Sequence, residues 1–514
     1  MLFFRNYRNK QKQQSSFKMQ NNDLTEKVIS PLLFENIAEI QKSFSETPDL
    51  VVKNFTIKQT KCSAALVYLS GLTDTKTVNN HVLSPLLFEA NKEEEDFEVQ
   101  VSLGLVKEKS TWQEIENAIL QGNSVLFIDQ RNIAFIFDTQ GWPQRGIEDT
   151  NIESSLRGEH VGFTETGINN IAMIRRHIPN RELKMKEMTV GARGNLKVTI
   201  MYLADVVNPE VLKELVDRIN KLEVDSVLNA ASLAEYIEDN PYSPFPQLLL
   251  TERPDFAAAE ILQGRIVTIV DRSPNVLIGP ATFETFFKSM DDYASRWIAA
   301  SFIRLMRYFA FLVAIFLPAT YIAVIAFHFE IIPLKLLLSV GASREKVPFP
   351  PFIEAIIMEI TLEMLREAGI RLPAKIGQTV GIVGGIVIGQ AAVEAGIVSN
   401  IMVIVVALTA IASFIIPNYD MGAAIRMLRF PMMIAASWFG FVGLTVGLMT
   451  LIAHFVALES LGTPYGSPIA PLRFPDWKDL IIRFPAWSMV KRPESTRAIQ
   501  SKKANSNRPK GDEY

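Results

Sequence analysis

The chain has 514 residues and carries 52 Lys and Arg against 55 Asp and Glu, which leaves a net charge of −3. A chain of this length exceeds a single hydrophobic core, so two or three domains are expected. The balanced charge excludes the strongly basic field of a nucleic-acid-binding protein, and the single Cys62 excludes a disulfide within the chain.

Residues 1–22 are predicted to form a disordered basic arm. They include five Lys and Arg and no Asp or Glu, are rich in Gln and Asn, and show no hydrophobic periodicity. No apolar stretch follows the basic residues, so no secretory signal peptide is expected. The arm is interpreted as a solvated tail whose positive charge suits contact with anionic lipid heads.

Residues 23–145 and 146–240 are predicted to form two small cytosolic α/β subdomains. In the first, Ala64–Ser70 has the composition of a buried strand, and two β-rich runs separated by Gln130–Asn132 predict a hairpin. In the second, apolar residues recur with helical spacing along Val211–Leu222.

Residues 241–307 are predicted to be a proline-rich junction followed by a juxtamembrane segment. Asn240–Gln247 reads NPYSPFPQ, and its three prolines are incompatible with the interior of a helix or of a central strand. Phe283–Arg307 is aromatic and amphipathic, which predicts a juxtamembrane helix. Arginines directly before the first long apolar run predict that this side of the membrane is cytoplasmic. They are Arg296, Arg304 and Arg307.

Residues 308–458 are predicted to form an all-α helical membrane domain. Four apolar runs approach or exceed the ~20 residues that a helix needs to cross a bilayer. Backbone groups inside lipid must find internal hydrogen-bond partners, so these runs are expected to be helices. The segment 459–514 is basic, which predicts a cytosolic C-terminal tail. The four predicted spans are about 308–329, 376–398, 401–417 and 432–458.

A charged amphipathic segment, 352–368, lies between the first two predicted spans. Glu359, Glu363 and Glu367 recur every fourth residue and therefore share one face of a helix. Three interpretations are open: an interfacial or re-entrant helix, a helix buried against others, or the lining of a watery path in which carboxylates attract cations. A solvated face stabilised by Arg366 competes with the last of these.

Glu394 lies near the end of the second predicted span. A carboxylate close to lipid is costly and usually faces a cavity or a partner, so Glu394 joins Glu359, Glu363 and Glu367 in a candidate cation pathway. A hydrated position at the membrane edge is an equal alternative for Glu394.

Glycines recur every fourth residue along the same predicted span. Residues four apart share a helix face, and a glycine face lets another backbone approach closely. This pattern predicts a helix-packing seam within the chain or between subunits. The seam consists of Gly377, Gly381, Gly385 and Gly389.

Motifs for nucleotide or metal chemistry are missing from the sequence. It contains no P-loop, no dinucleotide-binding glycine motif and no HExxH, and its five His are scattered. No nucleophile and base can be paired by spacing. We therefore expect no enzyme, no catalytic residue, no metal site and no cofactor.

Several strings, in order along the chain, resemble one family. Over residues 25–490 the chain resembles the A subunit of bacterial spore germinant receptors, the GerA family. The strings are GWPQRG (Gly141–Gly146), NPYSPFPQ (Asn240–Gln247), TERPD (Thr251–Asp255), RLP with GQTVG (Arg371–Pro373 and Gly377–Gly381), GQAAVEAGIVSN (Gly389–Asn400), IPNYD (Ile416–Asp420) and PYGSPIAPL (Pro464–Leu472).

The resemblance implies a location and a function. It places the chain in the spore inner membrane, with a B subunit that is a transporter-like, nutrient-binding membrane protein and a C subunit that is a lipoprotein. It further implies a homo-oligomer that acts as a ligand-gated channel for monovalent cations and triggers germination. It assigns no catalytic residue.

Besides a membrane-anchored enzyme, which would require a pocket with perturbed acids in the front domain, two alternatives remain open at this point. One is a family paralogue from the dipicolinate-channel operon, which would amplify germination without sensing nutrient. The other is a secondary transporter, a class that requires internal repeats with matching broken helices. The four predicted spans do not show such repeats.

Overall fold

The computed structural model describes residues 27–88, 101, 103, 106–141 and 160–505. The predicted arm at 1–22 and most of the string GWPQRG lie outside these residues. The described chain separates into two compact units. The first contains the residues up to Glu238, Leu248–Pro280 and the segment from Pro485 onward, and the second contains Asp239–Gln247 and Ala281–Phe484.

The first unit begins with an α/β subdomain. Its five strands form one antiparallel sheet, in which the third strand of the chain closes one edge. The elements are α1 (Leu33–Ser43), β1 (Leu50–Thr56), β2 (Ser63–Leu69), a helical stretch (Thr75–Thr77, Val78–Leu83 and Ser84–Phe88), β3 (Val106–Lys109), α2 (Trp112–Leu120), β4 (Ser124–Ile128) and β5 (Ala134–Phe137).

The central strands of this sheet are buried on both faces. Side chains alternate along a strand, so Val67 of β2 and Phe127 of β4 join one hydrophobic cluster with α1 and α2. Leu66 and Leu126 join a second cluster with the helical stretch on the opposite face. β4 and β5 pair directly, which confirms the hairpin predicted around Gln130–Asn132.

A second α/β subdomain follows in the same unit. The predicted limit was residue 240, but three strands at 249–279 complete its sheet, which is again antiparallel. The elements are α3 (Gly167–His177), β6 (Leu183–Val190), β7 (Leu196–Leu203), α4 (Pro209–Asn220), α5 (Ala230–Ile237), β8 (Leu249–Thr251), α6 (Pro254–Leu262), β9 (Ile266–Val270) and β10 (Val276–Gly279).

The two subdomains are structural repeats of each other. Their strand orders, β1-β2-β4-β5-β3 and β6-β7-β9-β10-β8, are the same arrangement. In both, the helix before the fourth strand ends in the letters ILQG, at Ile119–Gly122 and Ile261–Gly264. Each final glycine has a positive φ, +87° and +93°, which a side chain would disfavour. A duplicated fold therefore builds the α/β region.

The repeats are held together by polar contacts at one edge. Arg175 of α3 donates two hydrogen bonds, of 2.7 and 2.8 Å, to the Asp49 carboxylate of the first repeat, and both side chains are buried. Tyr202 of β7 donates to Glu46 at 2.6 Å. The Met185 amide on edge strand β6 donates to the Glu46 carbonyl at 3.0 Å. The turn before β1 thus docks on the outer edge of the second sheet.

The second unit is mostly helical. Residues Phe283–Arg307, predicted as one juxtamembrane helix, instead form a 3-10 turn (Phe283–Phe287), a short helix (Met290–Ala294) and the start of a long helix. The principal helices are α7 (Trp297–Phe327), α8 (Leu334–Arg344), α9 (Pro351–Arg371), α10 (Ala374–Glu394), α11 (Asn400–Phe414) and α12 (Tyr419–Ala457).

Among the residues whose side chains the structure describes, two helices are long and apolar enough to cross a membrane. α7 and α12 have mean hydropathies of 2.4 and 1.9 in their best windows, whereas α11 is a shorter apolar helix. They cover the first and the fourth predicted spans except for the last one or two residues of each, and the chain is a membrane protein. Gly440 interrupts α12 with φ +56° and ψ −134°. The count of four spans remains a prediction.

The proline-rich string NPYSPFPQ belongs to the helical unit. Gln247 and Asn240 exchange hydrogen bonds, because the Gln247 amide donates to the Asn240 carbonyl at 2.6 Å and its oxygen accepts from the Asn240 N–H at 2.8 Å. Phe245 stacks on His454 with ring centroids 6.1 Å apart. The string is therefore a packed segment of its unit as well as a junction.

Candidate functional site

Helix α9 carries the three carboxylates that share a face in the sequence. Pro351 stands in the first turn, where a proline costs no helical hydrogen bond. Leu372 has an extended backbone, as expected before Pro373, and ends the helix. The helix runs longer than the predicted 352–368 and includes Glu359, Glu363 and Glu367 in one continuous segment.

Each carboxylate of this acidic row is paired with an arginine. The outermost, Glu367, is 58% exposed and binds Arg371 of its own helix at 2.6 Å. Glu363 is 43% exposed and accepts hydrogen bonds from Arg426 of α12 at 3.2 Å and from Arg366 at 3.4 Å. Burial increases along the row toward Glu359.

Glu359 and Arg429 form the innermost pair. Each side chain is 2% exposed, and Arg429 donates from Nη1 to the Glu359 carboxylate. Arg429 also donates from Nε to the Ala314 carbonyl of α7 at 2.8 Å. One oxygen of Glu359 and one nitrogen of Arg429 have no hydrogen-bond partner among the described residues. An unsatisfied charged group of this kind is costly to bury.

The inner part of the row carries more positive than negative charge. Arg366, Arg426 and Arg429 surround the two carboxylates Glu359 and Glu363. Arginine keeps its charge in proteins, so this arrangement compensates the acids and leaves an excess cation. A path along this face could attract cations only after arginines move away from it.

Glu394 occupies the end of α10. Its carboxylate accepts a hydrogen bond of 2.9 Å from Gln390, four residues earlier in the same helix. This contact is local to α10 and involves no residue of the acidic row. The structure thus brings Glu359, Glu363 and Glu367 together on one helix and gives Glu394 a separate partner.

The glycine face of α10 is only partly used within the chain. A Cβ built on Gly377 would meet the Gly369 carbonyl of α9, and one on Gly389 would lie 3.7 Å from Val403 of α11. No described atom lies within 4 Å of a Cβ built on Gly381 or Gly385. These two central glycines leave a gap that another backbone could fill.

A buried acid that the sequence did not single out lies near the start of α9. Glu354 is fully buried and pairs with Arg344 of α8 at 3.0 Å. Its other oxygen accepts from the Ser399 amide at 3.0 Å, at the N-terminus of α11. The only signal in the sequence is a carboxylate in an otherwise apolar first turn, which does not reveal a partner 45 residues away.

The start of α7 contains a buried cluster of charges. Arg304 donates to Asp292 at 2.8 Å and to Asp479 at 2.6 Å, and Arg307 donates to Asp292 at 2.8 Å. Lys288 lies 3.3 Å from Asp479. Two arginines that the sequence marked as membrane-flanking cations are therefore ion-paired inside the protein.

The cluster shifts the titration of Asp479. Burial by itself raises the pKa of this carboxyl, but the positive charges of Lys288 and Arg304 outweigh burial, and hydrogen bonds from Arg304 and Tyr293 add to their effect. The net result holds the pKa of Asp479 well below its usual range. Asp479 is therefore an anion at neutral pH, and it ties the segment after residue 473 to the start of α7.

These features together define a class of protein: a membrane protein with a duplicated α/β region and a bundle of helices that contains paired buried charges. The profile of the Bacillus/Clostridium GerA spore germination protein matches residues 38–495. The chain belongs to this GerA family of spore germination proteins.

Individual relatives match over almost the whole chain. Spore germination protein KA of Bacillus subtilis is 42% identical over 91% of this chain and 87% of its own. The uncharacterized membrane protein YfkQ of the same organism is 40% identical over 96% of each chain. The N-terminal domain of the A subunit of the Bacillus megaterium spore germinant receptor GerK3, a crystal structure, matches 50% of this chain and 98% of that chain, with 28% identity and a TM-score of 0.39.

The family profile and the relatives of Bacillus subtilis confirm the family that the strings predicted. The predicted fold class is also confirmed, because two α/β subdomains precede a helical region with long apolar helices. Membership of a family of spore germination proteins supports the expectation that the chain is not an enzyme.

Proposed function

We propose that the chain is the A subunit of a germinant receptor in the spore inner membrane. It works there with a nutrient-binding B subunit and a C-subunit lipoprotein, and several copies assemble into a ligand-gated channel for monovalent cations. The observation that carries the proposal is family membership across residues 38–495.

Two structural features support the channel. The acidic row on α9 lies in the unit that contains both long apolar helices, and carboxylates in such a position suit a cation-selective path. No described atom occupies the face at Gly381 and Gly385, and such a face suits close packing between copies. The proposed pathway comprises Glu359, Glu363 and Glu367, with Glu394 as a further candidate.

The test is nutrient-triggered release of potassium from spores that carry Glu359→Gln, Glu363→Gln and Glu367→Gln together. We expect slower release, because the path loses the charges that attract cations. A double variant on the solvent face of α4, Glu210→Gln with Glu214→Gln, serves as control. Normal release at normal protein levels would remove the acidic row from the pathway.

A second candidate keeps the family but not nutrient sensing. The chain is as similar to a relative named only as a membrane protein, at 40% identity, as it is to named germination proteins. In this alternative the chain is a paralogue from the dipicolinate-channel operon that amplifies germination. Co-purification with B and C subunits, and genes for them beside this one, would favour the receptor.

A further inference from the structure

The acids of α9 face two arginines of α12 in a matched order. Arg426 binds Glu363 and Arg429 binds Glu359, so the later residue of one helix meets the earlier residue of the other. The two helices are therefore antiparallel where they meet. Residues three and four apart lie on one helix face, so a single face of each helix supplies both pairs.

The arginines of these pairs place positive charge beside the acidic row, and this charge opposes the passage of cations. With Arg366 included, three guanidinium groups surround two carboxylates, and a cation entering this part of the row would meet net positive charge. Coulomb repulsion is strong where water is scarce. Arg426 and Arg429 thus stand in the place that permeating cations would occupy.

The part of α12 that carries these arginines is separated from the rest of the helix by two breaks. Pro431 lies inside the helix and cannot donate a backbone hydrogen bond to the turn before it. Gly440 then leaves helical geometry altogether. Both breaks follow Arg429, so the segment before Pro431 can move without the segment after Gly440.

We propose that Arg426 and Arg429 are built-in counter-ions that close the acidic row in the resting protein. Opening withdraws the first part of α12 from α9, and permeating cations replace the two guanidinium groups. This inference rests on the proposed channel function. It assigns to the two arginines a positioning role in gating.

The test compares Arg426→Gln with Glu363→Gln in spores that contain the full receptor. Two quantities are measured: potassium retained without nutrient, and the rate of release after nutrient. We expect R426Q to leak about fivefold faster without nutrient, the effect of a lost coupling of about 1 kcal/mol. E363Q should retain potassium normally and release it more slowly, and the double variant should not leak, because the exposed carboxylate is gone.

A purely structural pair would behave differently. Both single variants would then shift retention in the same direction, and the double variant would match or exceed them. The exposed pair of Arg193 and Asp225, in the second α/β subdomain, is the control: Arg193→Gln should change neither quantity. If R426Q retains potassium normally without nutrient and E363Q releases it more slowly after nutrient, the counter-ion role is overturned and the proposed pathway stands.

Other outcomes also decide. If R426Q retains potassium normally and E363Q releases it at the normal rate, both the counter-ion role and the pathway are overturned. A leaking R426Q variant with normal release from E363Q would show that the arginine closes a path that the acidic row does not line, which again overturns both.

Arg429 provides an independent check because its pair is buried. Arg429→Gln should leak, whereas Arg429→Lys retains the positive charge and should stay closed, although it loses the bond to the Ala314 carbonyl. Both variants are compared at equal protein levels in the spore membrane. Equal leakage from the two, with normal assembly, would refute a role for charge and assign Arg429 to packing.

Discussion

Asn36 and Asn170 make the same two hydrogen bonds in the two repeats. Asn36 accepts from the Ser30 amide at 3.0 Å and donates to the Ser30 carbonyl at 2.6 Å. Asn170 accepts from the Thr164 amide at 2.8 Å and donates to the Thr164 carbonyl at 2.6 Å. Each buried amide thereby fixes the chain that leads into the first helix of its repeat.

The repeats should therefore respond alike to loss of this amide. Asn36→Ala and Asn170→Ala each leave a backbone N–H and C=O without a partner, at a cost of about 1–3 kcal/mol. Hydrogen exchange should accelerate in the first turn of α1 or α3, respectively. Asn54→Ala, on an exposed position of β1, is the control. Acceleration at only one of the two sites would contradict equivalent roles.

The buried pair between the repeats should dominate their association. Asp49→Ala or Arg175→Met leaves the other charge buried and alone, which costs about 3–5 kcal/mol. Removing both, as Asp49→Leu with Arg175→Met, should cost less than the two single changes added together. Urea unfolding of the detergent-solubilised full chain measures this. Arg193→Gln, in the exposed pair with Asp225, should have no measurable effect, and additive single effects would contradict the coupling.

Asp479 should make the helical unit sensitive to acid. Its pKa in the fold lies below the ordinary value of 3.8. The carboxylate therefore stabilises the fold at every pH above that ordinary value, and this contribution is lost as the pH falls through the lowered pKa. Asp479→Asn should lower stability near neutral pH, and its difference from the wild type should shrink on acidification below about pH 4.

Thermal unfolding of the full chain in detergent across this pH range measures the effect. Asp225→Asn, at an exposed carboxylate, is the control and should show no such convergence. A difference between wild type and Asp479→Asn that stays constant down to the lowest pH would show that the charge of Asp479 does not stabilise the fold.

The central glycines of α10 should matter to assembly and not to the folding of one chain. Leucine at Gly381 or Gly385 meets no described atom within 4 Å of its Cβ, so the chain should fold normally and fail to oligomerise. Gly377→Leu would instead collide with the Gly369 carbonyl of the same chain and should reduce protein levels. Chemical cross-linking in membranes measures the oligomer, and full oligomers of Gly381→Leu would remove the seam between subunits.

The periodicity of the sequence was sufficient for much of the architecture. The β-rich runs at Ser124–Asp129 and Ile133–Asp138 became a hairpin, because alternating burial is a local property of a strand. The apolar stretch from Tyr308 became part of α7, because a long apolar run is likewise a local property of the sequence. Local patterns also placed Glu359, Glu363 and Glu367 on one helix face.

The duplication could not be recognised in the sequence because its signal is dispersed along the chain. The shared letters ILQG are short, and most equivalent positions keep burial or a hydrogen bond and change the residue type. Asp129 and Asp271, for example, both accept from the first turn of the helix that opens their repeat, at 3.1 and 3.0 Å. A side chain that reaches across the fold leaves no periodic trace in the sequence.

Composition and spacing alone determined that this protein has an α/β region, apolar helices and an acidic row, since these depend on each residue's own hydropathy and its near neighbours. The partners of that row were decided only by tertiary structure. Arg426 and Arg429 are more than 60 positions away in the chain, and the attraction that pairs them with Glu363 and Glu359 acts only once two helices are brought side by side.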